Sequence, residues 1–151
     1  MNLTLSRLTL TSVIAAGFVF AVVSQARADA DPGKEMTTAA THAGLAAKAT
    51  DIKMTHMHLQ HVVNCLVGPN GKGFDATPGN PCKDQGNGGI PDTKDPAQKK
   101  AMQAALNKAR AGLKATDETV AVKDATQTQA LLTPKGSMPA TPASPAMSKP
   151  M

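Results

Sequence analysis

Three of the four histidines, both cysteines and two of the methionines fall in one stretch, MTHMHLQHVVNCLVGPNGKGFDATPGNPC, from Met54 to Cys82. Imidazole nitrogen together with thioether sulfur is a donor set suited to copper, and imidazoles alone accept zinc, nickel or cobalt. Read as a helix, the segment divides its histidines. At 100° per residue His56 falls about 160° from His58 and about 140° from His61, whereas His58 and His61 lie about 60° apart. His58 and His61 therefore form a half-site, with Met54 and Met57 on the same face as further metal donors. A loop carboxylate such as Asp75 or Asp84, or a second molecule, would complete it. His56 shares another stripe with His42, Leu45, Ile52 and Leu59, where a histidine reads first as a hydrogen-bonded core or boundary residue. Two helical histidines without a third fixed ligand bind weakly, which points to buffering or delivery of an ion rather than catalysis.

The cysteines stand 17 positions apart, Cys65 near the end of that helical stretch and Cys82 in a loop. In an oxidising compartment two cysteines of a small chain pair with each other, and closing a loop of this size is worth about 3 kcal/mol in the chain-entropy account. Thiolate metal ligation and a redox-active pair are the alternatives. Because Cys65 shares the face of His58 and His61, the bond would pull the loop over them as a lid or as a supplier of ligands. No Cys-x-x-Cys, Gly-x-Ser-x-Gly, His-Glu-x-x-His, P-loop or dinucleotide fingerprint occurs, and the carboxylates are dispersed. The stretch from Asp84 to Asp95 lacks the oxygen ligands of a calcium loop. The sequence gives an enzyme no support.

The first 28 residues have the anatomy of a secretory signal: Arg7, an apolar run from about Leu8 to Val23, then Ala26-Arg27-Ala28. Cleavage after Ala28 or after Ala30 would release a periplasmic or secreted chain with no membrane attachment. A chain starting at Asp29 carries 14 basic residues against 11 acidic ones, a net charge of +3, and Phe74 as its one aromatic residue. Scattered lysines and no stacking platform argue against nucleic acid.

Residues 29–36 read as a flexible lead. From 37 to 67 there is no proline and apolar residues recur at helical spacing, so one long helix is expected, with an interruption near Thr50-Asp51 as the alternative. Gly68-Pro69 ends it. Residues 68–95 are too rich in glycine and proline for a helix to persist. Asp95-Pro96-Ala97-Gln98 is a helix start running to about Lys114, and Thr116-Asp117-Glu118 begins a last helix to about Leu132. Residues 133–151 hold five prolines among small and polar residues, which predicts a disordered tail. Large apolar residues are few, so the core should be thin.

THAGLAAKATDIKMTHMHLQHVV and AALNKARAGLKATDETVAVKDA resemble, in composition, the small metal-binding helical proteins of the bacterial periplasm. HLQHVVNCLVGPNGKGFD also resembles a family of exported bacterial proteins of no assigned activity. The first resemblance implies a helical bundle that binds divalent metals, although four histidines suit only low capacity. The expectation is an all-α, three-helix antiparallel bundle spanning 37–132, with a disulfide-tethered loop over 68–95. Its expected function is low-capacity binding of copper, nickel or zinc as a buffer or carrier. The alternative is a structural or interaction protein without a metal, docking a protein partner or a second copy.

Overall fold

The computed structural model describes residues 29–133. The expected signal segment and nearly all of the expected tail lie outside them. The described chain is all-α, with helices α1 (Pro32–Ala47), α2 (Ile52–Val67), α3 (Gly89–Asp92), α4 (Pro96–Lys114) and α5 (Glu118–Leu132). None of the described helices is long and apolar enough to cross a membrane.

The long helix expected from 37 to 67 is two helices. Asp51 takes extended backbone angles and its carboxylate accepts the Met54 N–H at 2.9 Å, which starts α2 afresh after α1 has closed at Lys48. The expected lead is largely helical as well. Asp31 caps α1 by accepting from Lys34, and Pro32 occupies the first turn, where a missing N–H costs nothing. Three long helices thus become four. α1 packs on α2 and α5, and α4 packs on α5 and α2, so the four close a ring. Thr55 reaches back to the Ala46 carbonyl and Lys108 pairs with Asp124, the register of antiparallel neighbours.

The start of α4 follows the sequence pattern: Asp95 accepts from Ala97 and Gln98, with Pro96 behind it. For α5 the cap is Asp117, which accepts from Val120, rather than Thr116. Alanine dominates the core. Ala39, Ala43, Ala46, Ala105, Ala109 and Ala125 pack with Leu59, Val62, Leu66, Met102 and Leu132. Small side chains let the helices approach closely, and each removes little apolar area from water. Leu45, assigned to the apolar stripe, is 43% exposed, because the stripe was drawn across a break in the helix.

The segment between α2 and α4 is a strap laid on the bundle. Gly68 ends α2 at φ +69°, where a Cβ would overlap the Asn87 carbonyl, so only glycine fits. The Cys65–Cys82 disulfide then ties the strap to α2. Further along, Glu35 of α1 is buried beneath the strap and accepts the Gly88 N–H at 2.8 Å, while Gln85 accepts from Asp31 and from the Thr38 hydroxyl. Burial, with Asp92 and Asp31 nearby, pushes the Glu35 carboxyl up to about 7. Against the expectation of a helix-free loop, the short α3 forms where Asp92 and Thr93 donate back to Gly88 and Gly89.

Candidate metal centre

The hairpin of α1 and α2 brings His42 against His58 and His61. His42 Nδ1 lies 3.3 Å from His58 Nδ1 and 3.2 Å from His61 Nδ1, and one ring nitrogen from each residue lies within 4.8 Å of the others. Ring centroids are 4.7 to 5.7 Å apart. His58 and His61 share one face of α2, as their spacing requires. His42 is the residue that sequence reasoning placed elsewhere. A helical wheel carries phase only along one unbroken helix, and the break at Lys48–Asp51 cancels any relation between His42 and the stripe of α2. The signal was Asp51, a strong cap residue at the point where an interruption had been considered.

The strap sets the tautomer of the neutral His61 ring. Its Nε2 lies 2.8 Å from the Pro78 carbonyl, which can only accept, so Nε2 carries the hydrogen and Nδ1 presents a lone pair to His42. A ring nitrogen held this way by a backbone carbonyl is the usual outer contact of a metal-bound histidine. His61 is 9% exposed, while His42 and His58 are partly exposed. Burial, followed by the neighbouring His61 and His58 rings, lowers His42 to about 4; burial and then His61 lower His58. A low value keeps His42 neutral, with a lone pair to offer, at neutral pH.

Asn64 fixes the strap at this point. It is fully buried; its amide donates to the Asp75 and Gly79 carbonyls at 2.6 and 2.8 Å, and its oxygen accepts from the Asp75 N–H and from Gln60, both at 3.0 Å. Gln60, His61, Asn64 and Cys65 thus bind residues 73–82 along one side of α2. The strap does cover the histidine face, and its contribution there is a carbonyl that orients His61.

The other candidates are placed as follows. Cys65 and Cys82 are joined in the disulfide and offer no thiolate. Among the described residues no carboxylate joins the histidine group. The Asp75 carboxylate instead faces Thr77, whose side chain and then N–H hold it below the usual carboxylate range. Met54 is 41% exposed at the start of α2 and Met57 is partly buried one turn before His61. His56 lies outside the cluster, with Nε2 buried and without a hydrogen-bond partner.

Chemically, the arrangement is an unbalanced hydrogen-bonding network. His61 Nδ1 is a lone pair, and His42 Nδ1 must face both it and His58 Nδ1. As a lone pair His42 Nδ1 meets another lone pair; as an N–H it has one hydrogen for two neighbours. A cation at the centre removes the conflict by accepting from all three. Tetrahedral zinc at about 2.0–2.1 Å from nitrogen separates its ligands by about 3.3–3.4 Å, close to the 3.3 and 3.2 Å from His42 Nδ1 to His58 and His61, while the bound on all three separations is 4.8 Å. No protein family, curated protein or solved structure matches this chain.

Proposed function

We propose that this chain is an exported, low-capacity transition-metal-binding protein, a buffer or carrier of the periplasm or extracellular space, holding one copper, nickel or zinc ion per chain on His42, His58 and His61. The observation that carries the reading is the convergence of three imidazoles, with His42 Nδ1 3.3 and 3.2 Å from the Nδ1 atoms of His58 and His61, one ring nitrogen of each within 4.8 Å of the others, and His61 oriented by Pro78. Neutral imidazoles accept each of these metals, and the Irving–Williams order favours copper where supply does not decide. Met54 and Met57 would serve copper as additional soft donors from the same helix. The leader expected from the sequence would direct export, and the disulfide is compatible with an extracellular location.

Equilibrium dialysis of the tag-free mature protein against zinc, copper and nickel tests this. The expected result is one bound ion for the wild type and loss of binding in His42→Ala and in His58→Ala/His61→Ala, with unchanged helical circular dichroism. Equal binding by wild type and folded variants, or binding by neither, rejects the site and leaves a structural or interaction protein as the reading.

A further inference from the structure

The three histidines are all neutral ligands. The disulfide has removed both thiolates, and among the described residues no carboxylate stands with the cluster. A zinc or cobalt(II) ion seated on the three imidazoles alone would keep its full double charge, one donor short of a tetrahedral shell. On one side the strap closes the site through Pro78 and Gly79, against which His61 is nearly buried. His42 and His58 stay partly exposed.

We infer that the metal-loaded centre is a receptor for a small monodentate anion, bound directly to the metal at the fourth position in exchange for a water molecule. This rests on the metal reading above. A divalent ion with uncompensated charge attracts an anion strongly where solvent screening is partial. Three imidazoles with an open fourth position are also the arrangement in which zinc acidifies its bound water to a pKa of about 7, so below that pH the ligand an anion displaces is water, and above it the departing hydroxide takes a proton from solvent. The exchange is a simple ligand substitution: the metal–water bond breaks, the metal–anion bond forms, and no electrons are transferred.

The probe is cobalt(II), whose visible ligand-field absorption reports coordination, with sodium azide as the anion. Tag-free protein with the disulfide intact is loaded with one equivalent of cobalt in a non-coordinating, chloride-free buffer and titrated with azide. The expected result is an absorption band that shifts along a saturable, one-to-one curve. A band that is present and unmoved by azide overturns the anion site while leaving the metal site standing. Absence of a cobalt band overturns both. The Met54→Leu/Met57→Leu variant supplies a further check, because leucine keeps volume and helix propensity. Azide response in both proteins supports the proposal, whereas response only in the variant shows that a thioether fills the position in the wild type, and overturns it.

Discussion

Removing the Asn64 side chain should loosen the strap and the metal centre together. Asn64 uses its amide and its oxygen for four hydrogen bonds, three of them to the backbone of Asp75 and Gly79. An unsatisfied buried polar group costs about 1–3 kcal/mol. Asp75 is exposed and Gly79 partly so, and water entering the gap restores part of that loss. One full penalty plus a small cavity then gives about 2–4 kcal/mol for Asn64→Ala. Asn64→Asp should cost at least as much, since it replaces two donors by a carboxylate facing two carbonyls. Urea unfolding followed by circular dichroism measures the loss. The carbonyl of Pro78 that orients His61 lies on the same strap, so zinc affinity should fall about 10-fold or more, the usual effect of losing an outer contact of a metal ligand. A stability change below about 0.5 kcal/mol would refute the view that this side chain fixes the strap. Lost stability with unchanged affinity would refute the link from strap to metal centre.

Gly68→Ala places a Cβ on the Asn87 carbonyl at a backbone conformation reserved for glycine; it should cost more than about 3 kcal/mol in urea unfolding, and a neutral result contradicts the described junction. Cys65→Ala/Cys82→Ala should lower stability by about 3 kcal/mol from the 17-residue closure, with helical content retained near room temperature. Glu35 sets a pH dependence: its folded value near 7 lies above the ordinary 4.5, so the folded state holds the extra proton. Its contribution is fully present below about pH 4.5 and is lost as pH rises through 7. His42, lowered to about 4, acts in the opposite sense, its contribution being present above pH 6.5 and lost as pH falls through 4. Both proteins share that slope, so the difference between wild type and Glu35→Gln isolates Glu35: wild type should lose stability relative to the variant from pH 5 to 8. Parallel profiles would contradict the buried protonated carboxyl.

Much of the fold was legible because its signals are local. Asp95-Pro96 starts α4 and Gly68-Pro69 stops α2 through the chemistry of a few adjacent residues. The Cys65–Cys82 bond follows from the cysteine count and the compartment expected from the leader. The break between α1 and α2 rests on a single cap at Asp51, which competes with a run of good helix formers on both sides, and a periodic pattern passes over it. From that break follow the fourth long helix, the exposure of Leu45 and the assignment of His42 away from its partners. His58 and His61 were legible as a pair because three residues on one helix fix their geometry. Glu35 and Asn64 left no sequence signature, since their partners are backbone groups of an irregular strap whose path no periodicity records.

The central claim is that one ion is held by Nδ1 of His42, His58 and His61. Long-range proton–nitrogen NMR correlation of the histidine rings, with and without one equivalent of zinc, tests it most directly. Zinc should move the Nδ1 resonances of these three residues to metal-bound positions, leave His61 Nε2 protonated against Pro78, and leave both nitrogens of His56 unchanged. Coordination through His61 Nε2, participation of His56, or rings that do not respond to zinc would contradict it.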